Sequence, residues 1–293
     1  MEPATKNPLS FARVIRLVLA TVAVFYVGLC LLVFFYQRHL LYYPVVRTAA
    51  EVDHLALAAH MERWTNADGQ FIGLKRLVTN QPSVGSVFMC YGNGSTAVRC
   101  SVYADVIQQA APLDFYVLEY PGYEDRGGAP SKGSLLNTAT NAFQRLDTTK
   151  PVYLVGESLG TGVASYLASE FPDKITGLML LSPYNRLADI AQNHYPLLPA
   201  RLIMLDDFWS EHYLKKFHGL VGIMIDGKDS VVPAQFGHRL YDGYAGPKRL
   251  WEYPNCNHVE LGESRETFWK SVVDFWQTTK TNVTAGAVSK TKI

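Results

Sequence analysis

The chain has 293 residues, of which 48% are hydrophobic and 18% charged, and a formal net charge of +1. That balance removes the electrostatic case for a nucleic-acid partner, while the length allows one large α/β domain or two small ones with a sizeable core. Four cysteines, Cys30, Cys90, Cys100 and Cys256, are too few and too scattered for a disulfide framework or a zinc site; isolated buried thiols are expected, with a Cys90–Cys100 bridge left open.

From Leu17 to Tyr36 the chain carries about 20 consecutive residues without a formal charge, the length a helix needs to cross a bilayer. A cleaved signal peptide is the rival reading, but the run outlasts a usual apolar signal region and no small-x-small cleavage site follows it. Phe34, Phe35, Tyr36, Tyr42 and Tyr43 gather at its far end, as interfacial aromatic residues do. The expected organisation is an N-terminal tail (1–16), a transmembrane anchor (17–36), a juxtamembrane linker (37–60), the main domain (61–278) and a flexible polar tail (279–293). Lys6, Arg13 and Arg16 precede the span and Arg38 and Arg47 follow it, so the charge rule places the N-terminus in the cytoplasm by a small margin. The main domain then lies on the non-cytoplasmic, periplasm-like side. Asn93-Gly94-Ser95 has the form of a glycosylation acceptor, but Asn93 is expected in the active site instead, as an oxyanion donor.

In chain order, Glu62–Thr65 and Phe71–Leu77 flank Asn66-Ala67-Asp68-Gly69 and read as an antiparallel hairpin. Ser86–Cys90 is the next strand, followed by a glycine-containing turn and helical spacing up to Ala111. Phe115–Leu118 is another strand, and Ser131 is placed to cap a helix running to about Leu146. Val152-Tyr153-Leu154-Val155 leads into Gly156-Glu157-Ser158-Leu159-Gly160 and then a helix from Thr161 to Phe171: a strand, a sharp turn and a helix. Gly177–Leu181, Val221–Ile225 and Arg249–Glu252 are three more strands, and Arg265–Thr278 is a closing amphipathic helix. Strands alternating with helices imply a mostly parallel sheet covered on both faces. An apolar insertion at about 183–219 reads as a small helical cap; a sharper expectation adds that Leu197, Leu198, Leu202, Ile203 and Trp209 line an acyl pocket.

The G-x-S-x-G turn lifts Ser158 out of the sheet edge and aims a helix N-terminus at whatever its hydroxyl attacks. A serine hydroxyl is a poor nucleophile without a base, and the base needs a carboxylate to orient it. Asp229 follows the strand Val221–Ile225, with Asp226 as a competitor nearer the strand end; His258 follows the last strand. Ser158, Asp229 and His258 thus stand in the order expected of an α/β-hydrolase triad, each after a strand. The other histidines weighed, His39, His212 and His218, have interfacial or surface explanations. The amides of Leu159 and Asn93 are the expected oxyanion donors.

The elbow Gly156 to Ala164, the loop Tyr120-Pro121-Gly122-Tyr123, the anchor exit Gln37 to Pro44 and Tyr195-Pro196-Leu197-Leu198-Pro199 together resemble the membrane-anchored α/β-hydrolases of the Bem46-like group. The likeness covers nearly the whole chain. It departs at Tyr91, where the group commonly has histidine, and at Tyr123-Glu124-Asp125, where it usually has Tyr-Gly. The expected fold is therefore an α/β-hydrolase: a mostly parallel sheet flanked by helices, with a helical cap and an N-terminal transmembrane helix. The expected activity is cleavage of carboxylic esters, lipid-like ones included, without metal or organic cofactor. A thioesterase or amidase with the same triad, or a non-catalytic membrane protein that binds a lipid or a partner on this fold, are the alternatives.

Overall fold

A computed structural model describes residues 11–262, 264–278 and 290–292. Helix α1 (Phe11–Leu41) leads to α2 (Ala49–Ala58), then to the strands β1 (Glu62–Thr65), β2 (Phe71–Arg76) and β3 (Gly85–Cys90). There follow α3 (Ser101–Ala110), β4 (Leu113–Leu118), α4 (Lys132–Phe143), β5 (Val152–Glu157), α5 (Leu159–Glu170) and β6 (Gly177–Leu181). The cap comprises α6 (Leu187–His194), α7 (Ala200–Ile203) and α8 (Ser210–Leu214). The chain closes with β7 (Leu220–Asp226), α9 (Ala234–Gly243), β8 (Lys248–Tyr253), α10 (Arg265–Trp276) and β9 (Lys290–Lys292).

The nine strands form one sheet in the order β1-β2-β4-β3-β5-β6-β7-β8-β9. The pairs β1/β2 and β2/β4 are antiparallel; every later pair is parallel. Strands β3, β6 and β7 are buried at every residue, which is why they read as unbroken apolar runs rather than alternating ones. The cover on their faces is aromatic as well as aliphatic. Trp276 of α10 stacks on Tyr153 of β5 with ring centroids 4.6 Å apart, and Trp269 of the same helix is fully buried.

Three boundaries differ from the sequence expectation, each for a local reason. Residues 37–60 are not only a linker, because α2 lies within them, started by a capping box in which Thr48 and Glu51 satisfy each other's backbone amides. The apolar helix is longer than 17–36, since helical hydrogen bonding continues wherever no proline or glycine cap stops it, and here it runs for 31 residues. Within the tail expected to be flexible, Lys290–Lys292 pairs in parallel with Leu250–Glu252 and covers what would otherwise be an open strand edge. Residues 279–289 and 293 of that tail lie outside the described residues. Cys90 and Cys100 are both buried free thiols, so the bridge left open by the sequence is not formed.

Candidate active site

The carboxyl ends of β5, β7 and β8 bring the three expected side chains together. Ser158 sits between β5 and α5 with φ +49° and ψ −116°, a left-handed conformation that a non-glycine residue holds only when its surroundings impose it. The surroundings are identifiable. Ser158 N–H donates to Leu181 O of β6 at 2.9 Å, and its carbonyl accepts from Thr161 N–H at 3.0 Å and from Thr161 Oγ1 at 2.6 Å. On the C-terminal side the helix passes so close to β3 that a Cβ on Gly160 would lie 2.0 Å from Cys90 O. Only glycine fits there, which gives the final glycine of the pentapeptide its structural reason.

His258 lies in the turn after β8, and its ring bridges the other two groups. Its Nε2 is 2.9 Å from Ser158 Oγ and its Nδ1 is 2.6 Å from Asp229 Oδ2. Asp229 is nearly inaccessible, and its other oxygen accepts from Val231 N–H at 2.8 Å and Val232 N–H at 2.7 Å, so the carboxylate is held from both sides. The acid and histidine turns are laced together by Gly227 N–H to Tyr253 O and Lys228 N–H to Cys256 O, both 2.9 Å. Asp226, the competing acid, is the last residue of β7 and turns elsewhere. Its Oδ2 accepts from Ser182 Oγ at 2.7 Å, and Ser182 Oγ in turn accepts from Val259 N–H at 3.1 Å. Burial pushes Asp226 up to about 6, against the Ser182 hydrogen bond, with the Asp229 carboxylate raising it further. Asp226 therefore braces the residue next to His258 rather than His258 itself.

The loop after β3 runs beside the serine: a Cβ on Gly92 would be 3.2 Å from Ser158 Cβ. Leu159 N–H is the first amide of α5, without an intrahelical acceptor, and among the described residues Asn93 N–H donates to no acceptor. The Asn93 side chain is fully engaged. Its Oδ1 accepts from Tyr43 N–H at 3.0 Å and Tyr123 Oη at 2.9 Å, while its Nδ2 donates to Leu41 O, leaving this amide committed to packing and not to a glycan.

The two departures from the resembled group meet here. Tyr91 is fully buried, and its hydroxyl donates to the Glu119 carboxyl, whose other oxygen accepts from Ala97 N–H at 3.1 Å. The pair thus spans both ends of the loop that carries Asn93. Burial pushes Glu119 up to about 8, against the donors from Tyr91 and Ala97. Tyr123 supplies the hydroxyl to Asn93, and the following Glu124 pairs with Arg47 at 2.5 Å and Asp125 with Arg63 at 2.8 Å. Sequence reasoning did not single out Glu119 or the roles of these two acids, and it read Arg47 only as a charge flanking the apolar run. The only local signal was the pair of departures itself, since partners 28 and 77 residues away leave no periodic trace. Glu157, beside Ser158, is also raised by burial, offset by the Tyr103 hydroxyl and the nearby His258 ring.

Of the five side chains expected to line an acyl pocket, Leu198 and Ile203 are half-buried, Trp209 is 41% exposed, and two depart from the expectation. Leu197 and Leu202 are 84% and 86% exposed, so these side chains point out of the cap rather than into it. Among the described residues no group of three or more His, Cys, Asp or Glu side chains is arranged to hold a metal ion.

A hydrogen-bonded line of hydroxyl, imidazole and carboxylate, with two unpaired amides beside the hydroxyl, has the parts for acyl transfer. Comparison with known proteins agrees with that class. A family model described as the alpha/beta hydrolase fold matches residues 113–291. The uncharacterized protein Rv2307c of Mycobacterium tuberculosis is 30% identical over 82% of this chain and 87% of its own length. The uncharacterized membrane protein YNL320W of Saccharomyces cerevisiae is 23% identical over 68% of this chain and 72% of its own. The lysophosphatidylserine lipase ABHD12 of Danio rerio is 32% identical over 47% of this chain and 42% of its own length. Among solved structures, the Pyrococcus furiosus esterase Pf2001 superposes with a TM-score of 0.58 at 17% identity, over 80% of this chain and 96% of that one.

Proposed function

The chain belongs to the alpha/beta hydrolase fold family, and from that premise we propose that it is a membrane-anchored serine hydrolase of the Bem46-like group that cleaves carboxylic esters through an acyl-enzyme on Ser158. The observation that carries the reading is the continuous line Ser158 Oγ, His258 Nε2, His258 Nδ1, Asp229 Oδ2, with steps of 2.9 and 2.6 Å.

In this reading Ser158 Oγ attacks the ester carbonyl as His258 Nε2 takes its proton. Asp229 accepts the hydrogen bond from Nδ1–H, which fixes the tautomer and stabilises the imidazolium. The negative oxygen of the tetrahedral intermediate sits against the amides of Leu159 and Asn93, at the positive end of α5. Collapse of the intermediate passes the His258 proton to the departing alkoxide; water activated by the same nitrogen then releases the acid and regenerates Ser158. No step calls on a cofactor. Thioesters and amides would use the same parts.

An anchor role for α1 is supported by its length and by its most apolar stretch, of which no residue is buried within the protein, and by the yeast relative's name as a membrane protein. With the weak positive-inside bias, the catalytic domain lies on the non-cytoplasmic side. The fish relative's name as a lysophosphatidylserine lipase supports a lipid-like ester as substrate. The test is a hydrolysis screen of the full chain across esters, thioesters and amides of graded acyl length, with Ser158→Ala beside it. Ester turnover that disappears in Ser158→Ala is the expected result; turnover indifferent to that substitution contradicts it.

A further inference from the structure

The apolar helix does not simply tether the domain, because it runs along the cap and ends against the active-site loop. Between Tyr26 and Gln37 it covers about 16 Å of axis at 1.5 Å per residue, and both of these residues bond cap backbone. Tyr26 Oη donates to Leu197 O at 2.9 Å. Gln37 Nε2 donates to Ile203 O at 3.1 Å, and its Oε1 accepts from Leu205 N–H at 2.7 Å. Arg38 follows with an ion pair to Asp206 at 2.9 Å. At its end, Leu41 and Tyr43 hold Asn93.

The depth of the first contact follows from length alone. A hydrocarbon layer of about 30 Å takes about 20 helical residues, and every window of that length within Phe11–Leu41, from Phe11–Cys30 to Val22–Leu41, contains Tyr26. Even in the first window Tyr26 lies about 6 Å inside the boundary. Leu197 O, bonded to it, is therefore at or within hydrocarbon depth. A carbonyl and a hydroxyl at that depth need each other, since lipid offers neither a partner. The side chains around the contact fit the same medium: Tyr195, Leu197, Leu202 and Leu205 are 62%, 84%, 86% and 51% exposed. One exposed leucine needs no explanation. Four large apolar side chains on one short stretch beside a lipid-facing helix do.

We propose that the cap tip, residues 195–205, is seated among the acyl chains of the leaflet into which α1 runs, so that substrate reaches Ser158 from the bilayer. The substrate class this selects is a membrane-resident amphiphile whose ester lies near headgroup level, where the end of α1 and the Asn93 loop meet. The inference deepens the ester-hydrolase reading and rests on it.

The test reconstitutes the full chain in phosphatidylcholine vesicles with a tryptophan placed at the tip, Leu202→Trp or Leu197→Trp, and a control, Val84→Trp, which is 50% exposed just before β3, at the sheet edge opposite the site. The fluorescence added at 197 or 202 is expected to be at least halved by phosphatidylcholine brominated along its acyl chains and left unchanged by iodide in the water. Val84→Trp should show the reverse. Iodide quenching at 197 and 202 without bromolipid quenching overturns the proposal. A second readout tests the delivery route. Leu202→Asp should lower the ratio of turnover on a bilayer-resident long-chain ester to turnover on a short water-soluble ester by about tenfold; an unchanged ratio contradicts entry from the bilayer. If the wild type cleaves no ester, the hydrolase reading fails while the quenching pattern still decides the seating of the tip.

Discussion

Ser158, at the carboxyl end of β5, and Leu197, in the cap inserted between β6 and β7, are held by different physics. Ser158 is fixed in a strained backbone by strands buried at nearly every residue and by a helix that approaches β3 within the reach of a single Cβ. Leu197 projects outward, and its segment is held by side-chain bonds from α1 together with a few that involve α6, Gln192 to Pro196 O and Arg201 to Asp189 among them. The proposed nucleophile is thus preorganised by the protein core, as electrostatic catalysis would require. The cap tip is held in part by an exposed apolar helix, so, if α1 is the anchor proposed above, its placement depends on the membrane in a way that Ser158 does not.

The comparison breaks most sharply at the catalytic line. Ser158→Ala or His258→Ala should lower kcat by roughly 10⁴ to 10⁶ if the three groups act as a unit, and the double variant should be little worse than either. Steady-state kinetics on the best ester of the screen measures this, and additive losses would mean the two residues work independently.

The packing side of the comparison is tested at the elbow. Gly160→Ala places a Cβ 2.0 Å from Cys90 O, a clash with backbone that no side-chain rotation relieves. We expect a loss of about 3 kcal/mol or more in denaturant unfolding of the domain. Stability within error of the wild type would show that α5 can move away from β3 without consequence.

A smaller and pH-dependent effect belongs to Glu119. Its carboxyl is raised from an ordinary 4.5 to about 8, so the folded state holds a proton that the unfolded chain releases. The stability this contributes is complete below pH 4.5 and is lost as pH rises toward 8, at no more than about 1.4 kcal/mol per pH unit. Glu119→Gln keeps an acceptor for Ala97 N–H and cannot ionise, so its melting temperature should fall less than that of the wild type between pH 5 and pH 8. Parallel melting curves would remove Glu119 from the account.

The smallest effect is expected at Arg38 and Asp206. Arg38 is half exposed while its partner Asp206 is buried, so water screens the pair from the guanidinium side and it is worth about 1 kcal/mol. Arg38→Gln should leave domain unfolding within that margin, measured by the same denaturant titration. A larger loss would mean that the pair, and not the carbonyl bonds of Tyr26 and Gln37, fixes the cap on the helix.

What was legible in the sequence divides along the same line. The elbow, the sheet and the meeting of Ser158, Asp229 and His258 could be read because each leaves a local mark: a pentapeptide, an apolar run, a turn after a strand. The sequence left Asp226 as a competitor of Asp229; what separates the two is Ser182, 44 residues before Asp226, whose hydroxyl engages the Asp226 carboxylate and leaves no local mark. Helix α2 had a mark too, Thr48 followed three residues later by Glu51, but it was overlooked in favour of a linker. The Tyr91–Glu119 pair and the α1–cap contacts were not legible. Their partners are 28 and 166 to 171 residues apart, and at such separations only the folded chain shows what meets what. Leu197 and Leu202 differ from the expectation for a related reason: apolar composition predicts burial, but a contiguous apolar surface is equally consistent with a face that meets lipid or a partner.

The central claim is that Ser158 is an activated nucleophile, and the most direct measurement is covalent labelling of the full-length protein by an alkyl fluorophosphonate, with the modified residue located by peptide mass spectrometry. A hydroxyl activated by His258 displaces fluoride and leaves a phosphonyl group on Ser158 Oγ. The account predicts one adduct at Ser158, strongly slowed labelling in His258→Ala and no adduct in Ser158→Ala. An ester-cleaving preparation in which Ser158 stays unmodified, or in which Ser158→Ala labels at the wild-type rate, would contradict it.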